Sequence, residues 1–170
     1  MVAVQSALAD HPAALTIARG LSHFGEHSLG WLVVSLIGAV LSPRRRRDWL
    51  LAGAGAFAAH AAAVLVKRAV RRKRPSHPAV AVNVGTPSQL SFPSAHATST
   101  TAAAILMGRA SGLPTGMCAV LLIPPMALSR ILLGVHYPSD VAVGIGLGAA
   151  VAGIATRFGS GGVDRGEPSE

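Results

Sequence analysis

The stretch "DVAVGIGLGAAVAGIATR", residues 140–157, decides the fold class of this chain. No charged residue occurs between its two ends, and most of its side chains are small or aliphatic. Crossing a bilayer takes about 20 mainly apolar residues, and at least about 17, so the segment is a short membrane span. Gly144 and Gly148 stand four residues apart, the spacing at which membrane helices approach backbone to backbone. The stretch therefore predicts a helix over 139–157 that packs inside a membrane bundle.

The rest of the chain repeats this pattern. Only 13% of the residues are charged, compared with about 25% in average soluble domains, and the mean hydropathy is +0.49. Charge-free intervals recur at 27–43, 49–66 and 110–129, and a further interval becomes apolar after Ser94. We therefore predict an all-α, polytopic membrane bundle of about five transmembrane helices. Their expected positions are 28–42, 48–69, 94–111, 114–133 and 139–157.

The two ends of the chain differ from these spans. Residues 11–27 carry apolar and polar side chains at roughly helical spacing, which predicts an amphipathic helix that lies on the membrane or is partly inserted. Residues 159–170 are rich in glycine and polar side chains, a composition typical of disordered segments. We therefore expect one membrane-embedded domain over 1–158, followed by a disordered polar tail.

The net charge is +8, and most of the basic residues lie in two clusters at 44–47 and 67–74. A nucleic-acid-binding face would spread them over a soluble surface, so we expect membrane phosphates, and no nucleic acid, as partners. Five crossings put the two clusters on opposite sides of the membrane. Once Lys67, Arg74 and Arg130 are set aside as candidate site residues, more basic residues remain on the 44–47 side. The positive-inside rule then makes that side cytoplasmic and places the other cluster on the outer face of the plasma membrane.

Three polar motifs fall on that outer side. They are "KRAVRRKRP" at 67–75, "FPSAHAT" at 92–98 and "SRILLGVHYPSD" at 129–140. Ser94 in the second motif is a favourable N-cap residue, and the free amides at a helix start attract anions. Lys67, Arg74 and Arg130 would surround that helix start with three cations. One tetrahedral oxyanion could accept hydrogen bonds from all of these donors, so the motifs predict a phosphate site.

Two histidines within the motifs suit phosphoryl transfer. A neutral imidazole can attack phosphorus in line and form a covalent phosphohistidine. His136 can take this role if Asp140, four residues later, orients its ring. A protonated His96 can give its proton to the departing alkoxide, and the nearby cations stabilise charge on the transferring oxygens. This chemistry requires neither a metal ion nor a cofactor, and it predicts a lipid phosphate monoesterase.

Other polar residues have simpler interpretations. Polybasic segments commonly bind anionic lipid headgroups, and this is the interpretation of four neighbouring cations: Arg68, Arg71, Arg72 and Lys73. His60 is interpreted as hydrogen-bonded inside the bundle. Three polar residues near the end of the first helix are interpreted as markers of the membrane interface: His23, Glu26 and His27.

Two alternatives to a phosphatase follow from the same residues. A zinc site could use His60, His96 and His136, but these histidines lack the paired spacing of helical zinc ligands. A non-catalytic phospholipid-binding or transport subunit could use the same anion pocket. The co-occurrence of three motifs on one side favours an enzyme, because ionisable residues at membrane depth are functional by default.

The three motifs together resemble the signature blocks of the type 2 phosphatidic acid phosphatase superfamily, which also includes vanadium haloperoxidases. The resemblance implies a helical-bundle phosphatase that is independent of metals and cofactors, and the hydrophobic helices argue against a haloperoxidase, which is a large soluble enzyme. It assigns phosphate binding to Lys67, Arg74, Ser94, the Ala95 amide and Arg130, acid catalysis to His96, nucleophilic attack to His136 and orientation of that imidazole to Asp140.

This chain departs from the family pattern at one position, and the family also implies a set of partners. The family usually has glycine where this chain has Ala95, so a methyl group crowds the site although only the backbone N–H is needed. The implied substrate is a polyprenyl-linked phosphosugar or another lipid phosphate, with membrane lipids around the bundle. Homo-oligomers or association with enzymes of the same pathway are further expectations.

Overall fold

The computed structural model describes residues 1–160 as a helical protein. The α-helices are α1 (Val2–Leu8), α2 (Pro12–Phe24), α3 (Leu29–Leu41), α4 (Arg46–Val70), α5 (Ala95–Ser111), α6 (Thr115–Leu132) and α7 (Pro138–Ser160). Two short 3-10 turns, Glu26–Ser28 and Pro43–Arg45, connect α2 to α3 and α3 to α4. No strand forms within this part of the chain, and an isolated bridge joins Lys73 to Leu90. The predicted all-α class is confirmed.

The predicted helices are all present, each with ends within three residues of the expected positions. The additional helix α1 was not predicted. Its Gln5 is buried, and the Gln5 side-chain amide donates to the carbonyl oxygens of Ala81 and Leu132 at 2.7 and 2.9 Å. The expected disordered tail falls on residues outside those described, apart from 159–160, which continue α7.

By length and composition, two helical segments are able to span a membrane: Pro43–Val70 and Pro138–Phe158. The pair formed by α2 and the segment Glu26–Leu41 is bent by 52° and adds a third span if the two pieces cross together. This is fewer than the five predicted crossings. One reason is that α5 packs against α4, α6 and α7, so it can carry serine and threonine instead of a lipid-facing apolar surface.

Small residues bring α7 close to the start of α5. A Cβ added to Gly144 would lie 2.8 Å from the Ser94 carbonyl oxygen, and one added to Gly148 would collide with the Thr98 carbonyl oxygen. The predicted close packing at these two glycines is therefore present inside the bundle. It holds the N-terminal ends of α5 and α7 side by side.

Candidate active site

The first turns of α5 and α7 form the base of the site. The Ser94 hydroxyl accepts a hydrogen bond from the Ala97 N–H at 3.4 Å, which makes Ser94 the N-cap of α5 as predicted. The Ser94 N–H in turn donates to the Asp140 carbonyl oxygen at 2.9 Å. Because Asp140 lies in the first turn of α7, this bond joins the two helix starts directly.

A cavity of about 500 Å³ opens beside these helix starts. Its volume is within the range of pockets that bind small molecules. Six of the eight residues predicted for the site line it: Lys67, Arg74, Ala95, His96, Arg130 and His136. The other two, Ser94 and Asp140, do not line the cavity and are fully buried. The structure therefore brings the three sequence motifs to one place.

Arg130 presents an unsatisfied donor in this cavity. The side chain is 2% exposed. Its Nε donates to the Ser129 hydroxyl and its Nη1 to the Ser22 hydroxyl, both at 3.1 Å. Its Nη2 is buried without a hydrogen-bond partner among the described residues. A buried guanidinium N–H without a partner is costly, and an anion in the cavity would satisfy it.

Arg74 is fixed in the loop between α4 and α5. Its Nε donates to the Ser88 carbonyl oxygen at 2.8 Å, and its Nη1 donates to the Val135 carbonyl oxygen at 2.6 Å. Burial lowers the pKa of Arg74, and the Asp140 carboxylate acts in the opposite direction. Arginine side chains remain protonated in proteins. Because Arg74 donates to the carbonyl of Val135, the residue before His136, it places a permanent positive charge close to His136.

His136 lies in the connector between α6 and α7 and is 3% exposed. Its Nδ1 is 3.7 Å from the Asp140 Oδ2, which is too long for a hydrogen bond, so the attraction is electrostatic. Burial lowers the pKa of His136 to about 4, although Asp140 acts in the opposite direction. The imidazole is therefore neutral at pH 7. With Nδ1 directed to the carboxylate, the Nε2 lone pair is available as a nucleophile.

Asp140 is held by a cation that the sequence interpretation had assigned elsewhere. Its Oδ2 accepts from the Tyr137 N–H at 2.8 Å, and its Oδ1 accepts from the Arg72 Nη1 at 3.0 Å. The Arg72 guanidinium also lies 4.2 Å from the centroid of the Tyr137 ring and donates to the Ser139 hydroxyl at 3.0 Å. The interpretation of Arg72 as a cation that binds lipid headgroups stays a prediction, and the structure adds its ion pair with Asp140. The signal that could have revealed this pair is Asp140 itself, because a buried carboxylate needs a partner.

His96 is held by the last turn of α2 and by Gly25, which follows that helix. Its Nε2 lies 2.9 Å from the Ser22 carbonyl oxygen. A carbonyl can only accept, so Nε2 carries a proton and Nδ1 is the other exchangeable position. Gly25 packs against the ring edge, since an added Cβ would lie 2.8 Å from the His96 Cδ2. Sequence reasoning did not identify Ser22 or Gly25 as contacts of the site.

The same cavity is also lined by four residues to which the sequence analysis gave no role in the site. They are His23, Glu26, His27 and His60. The sequence predicts that His60 is hydrogen-bonded inside the bundle. Its Nδ1 is buried with no hydrogen-bond partner in the described chain, so no such bond forms at this nitrogen. The His27 and His60 ring centroids are 5.8 Å apart. Within residues 1–160, no three His, Cys, Asp or Glu side chains are grouped as a metal site would require.

The family assignment follows from the sequence that contains these motifs. A family model described as the PAP2 superfamily matches residues 48–161, which include all three motifs. The chain belongs to the PAP2 superfamily. The predicted resemblance is thereby confirmed, and its signature positions coincide with the cavity that the structure shows.

The PAP2 relatives of this chain include three curated proteins with one name. The chain is 73% identical, over 161 residues, to the decaprenylphosphoryl-5-phosphoribose phosphatase from two strains of Mycobacterium tuberculosis. That match covers 95% of this chain and 89% of the relative. It is 65% identical over 144 residues to the protein of that name from Mycolicibacterium smegmatis, which covers 85% of this chain and 78% of the relative.

Two solved structures share the PAP2 fold of this chain. One is the transmembrane PAP2-type phosphatidylglycerolphosphate phosphatase from Bacillus subtilis, with a TM-score of 0.75, 22% identity, and coverage of 98% of this chain and 87% of that one. The other is Aquifex aeolicus LpxE, with a TM-score of 0.64, 21% identity, and coverage of 91% and 90%. The helices of this chain that are long and apolar enough to cross a bilayer are those of a membrane protein.

Proposed function

We propose that this chain is a metal-independent membrane phosphatase that removes the 5-phosphate from decaprenylphosphoryl-5-phosphoribose. The product would be decaprenylphosphoryl ribose, which the resemblance links to cell-wall arabinan synthesis. The observation that carries the substrate is the 73% identity, over 95% of the chain, to phosphatases of that name. The geometry of His136, His96 and the unsatisfied Arg130 Nη2 around one cavity supports the reaction.

Phosphate binding is the first step. The phosphate oxygens would contact Lys67, Arg74 and the unpartnered Nη2 of Arg130, and would accept from the Ala95 N–H at the start of α5. Three cations and a helix N-terminus stabilise the negative charge that builds on the equatorial oxygens during transfer. Ala95 is 6% exposed and its methyl group lies at the cavity wall, where the backbone N–H performs the contact.

The covalent step uses the two histidines in opposite roles. The His136 Nε2 attacks phosphorus, the bond between phosphorus and the ribose 5-oxygen breaks, and its electron pair goes to that oxygen. His96 enters this step as the imidazolium, with protons on both ring nitrogens, and the oxygen takes the proton from its Nδ1. A water molecule then gives a proton to His96 and attacks phosphorus, which breaks the N–P bond and releases inorganic phosphate. Both histidines return to their starting protonation states.

Asp140 and Arg72 are positioning residues in this account. Phosphorylation makes the His136 imidazole cationic, and the buried Asp140 carboxylate stabilises that charge at 3.7 Å. The ion pair with Arg72 and the bond from the Tyr137 N–H keep the carboxylate ionised and directed at Nδ1. Neither residue touches the phosphate in this account.

We also place the protein in the plasma membrane with its site on the extracytoplasmic side. This rests on the weak positive-inside difference between the 44–47 cluster and the opposite side. Ser76, which is exposed in the loop between α4 and α5, gives a test when it is changed to cysteine in a Cys118→Ala background. A membrane-impermeant maleimide should label it in intact cells. Labelling that requires broken cells would place the site in the cytoplasm.

The direct test is phosphate release by the purified protein in detergent with a chelator present. Decaprenylphosphoryl-5-phosphoribose, phosphatidic acid and a polyprenyl diphosphate would be compared, with His136→Ala as the inactive control and His77→Ala, in an exposed loop, as the matched one. Chelator-resistant turnover of the phosphoribose lipid, lost only in His136→Ala, is expected. Turnover of the other lipids alone would refute the substrate, and turnover of none would indicate a binding subunit.

A further inference from the structure

One half of the cavity carries polar side chains that the phosphoryl-transfer steps do not use. The face of α4 that lines the cavity includes His60, Val64, Lys67 and Arg68, at the spacing of one helical face. Lys67 belongs to the phosphate end. His60 lies seven residues earlier, about 10 Å along the helix axis, next to His27 across the cavity. The part of the cavity that carries His27 and His60, its second end, therefore adjoins the phosphate-binding end.

One imidazole of this second end has a buried nitrogen without a partner, and the other is set by an unusual backbone conformation. His60 is half-buried, and its Nδ1 has no hydrogen-bond partner among residues 1–160. His27 and Ser28 both have positive φ angles, 49° and 62°, a conformation that non-glycine residues seldom adopt. Such backbone strain is concentrated at functional sites. Here it directs the His27 side chain at the cavity.

The direction of the reaction shows what must occupy this end. In-line displacement puts the leaving oxygen on the side of phosphorus opposite His136, next to the acid His96. His96 packs on Gly25, two residues before His27 in the same turn. The carbon skeleton attached to the leaving oxygen therefore continues from His96 towards the His27–His60 pair.

We propose that His27 and His60 form a subsite for the sugar of the leaving group and donate to or accept from its ring hydroxyls. The proposal rests on the proposed function, because the leaving group there is a ribose. Each neutral imidazole has one donor and one acceptor, which matches hydroxyl groups. The nearby Glu26 carboxylate also accepts hydrogen bonds from hydroxyl groups. This subsite gives the enzyme a means to prefer phosphosugar lipids over phosphatidic acid.

The test combines a change in the protein with a change in the substrate. A short-chain prenylphosphoryl-5-phosphoribose and its 2-deoxy and 3-deoxy forms would be turned over by the wild-type protein, His60→Leu, His60→Gln and the control His11→Leu. His11 is exposed outside the cavity and makes no capping bond through its side chain. The readout is kcat/KM for each pair, with phosphatidic acid as a substrate that lacks a sugar.

In the wild-type protein and in His11→Leu, at least one deoxy form should lose about 5- to 10-fold in kcat/KM, the size expected for one hydrogen bond. In His60→Leu the ribose and deoxy forms should be equal, and His60→Gln should restore part of the difference. Full discrimination in His60→Leu would overturn the sugar subsite. If His60→Leu lowers kcat/KM by the same factor for the ribose form and both deoxy forms, the histidine pair contacts the linking phosphodiester that all three carry and not the sugar hydroxyls.

A failure of the proposed function would look different from these results. In that case the wild-type protein would turn over phosphatidic acid but none of the phosphoribose lipids. The sugar subsite would then be refuted together with the substrate. If the phosphoribose lipids are turned over, the comparison between wild type and His60→Leu decides the subsite alone. His27→Asn, which tolerates positive φ, provides a second variant should His60→Leu not fold.

Discussion

The connector between α6 and α7 and the last turn of α2 border one cavity, yet they hold the two histidines of the site by different chemistry. The connector places His136 beside a buried carboxylate that is itself paired with Arg72. The last turn of α2 fixes His96 through a neutral carbonyl, that of Ser22, at 2.9 Å. A carboxylate stabilises an imidazole that becomes cationic, as a phosphorylated nucleophile does. A carbonyl fixes one nitrogen without retaining a charge, which suits an acid that must give its proton away.

The largest effect on this comparison should come from His96→Asn. Removal of the acid leaves the leaving alkoxide without a proton, and general acid catalysis contributes about 10²- to 10⁴-fold. We expect kcat for the lipid ester to fall within that range. An aryl phosphate with a good leaving group needs no proton and should be affected by less than about 10-fold. Equal losses on both substrates would contradict the role of His96 as the acid.

Asp140→Asn should have the next largest effect. The amide keeps the size of the side chain but cannot stabilise the cationic His136, and it leaves Arg72 without its anionic partner. We expect a loss of about 100-fold or more in kcat. Unlike His96→Asn, this change should slow aryl and alkyl phosphates by similar factors. Unchanged turnover with intact folding would show that the carboxylate does not serve His136.

Arg72→Ala should produce a smaller loss, about 10-fold in kcat with little change in KM, because Arg72 acts through Asp140 and not on the substrate. Arg72→Lys should recover part of the activity, since it keeps the charge but not the fork geometry. Lys73→Ala is the matched control, because Lys73 is the exposed cation next to Arg72 in the chain and is not among the residues that line the cavity. A rise in KM alone would assign Arg72 to substrate binding.

The smallest expected effect concerns pH. Burial lowers the pKa of His136 to about 4, whereas the ordinary value of histidine is about 6.5. The nucleophile therefore stays neutral at all pH values above about 5. Folded His136 binds its proton more weakly than the unfolded chain does. Its contribution to stability is therefore present above about pH 6.5 and is lost as the pH falls towards 4. Nitrogen NMR of labelled histidine, assigned with His136→Gln, would measure this pKa. A value above 6.5 would contradict it.

Much of this site follows from the sequence because the residues that carry it are local signals. Ser94 identifies the start of α5 as an N-cap, and charge-free intervals bounded by charged residues locate α3, α4 and α6. Glycines at 144 and 148 identify the face of α7 that touches α5. These features depend on residues within a few positions of each other, so single-sequence reasoning reaches them.

The missed features depend on contacts between distant segments. Six of the eight residues from Lys67 to Arg74 are basic, so charge alone does not distinguish Arg72 from its neighbours. Only the path of the chain after Arg71, which has a φ of 55°, decides that Arg72 meets Asp140. His27 and His60 are 33 positions apart, and no periodicity relates them. Helix α1 has seven residues, too short to be stable on its own, and its Gln5 contacts a carbonyl 127 positions away.

The most direct test of the account is capture of the covalent intermediate. The protein would be mixed with substrate labelled in its monoester phosphate, quenched with alkali within milliseconds, and digested for mass spectrometry. A phosphorylated nitrogen is stable in alkali and labile in acid, which separates it from phosphoserine. Label is expected on His136 alone, absent from His136→Ala and retained in His77→Ala. Label on another residue, or phosphate release by His136→Ala at the wild-type rate, would contradict it.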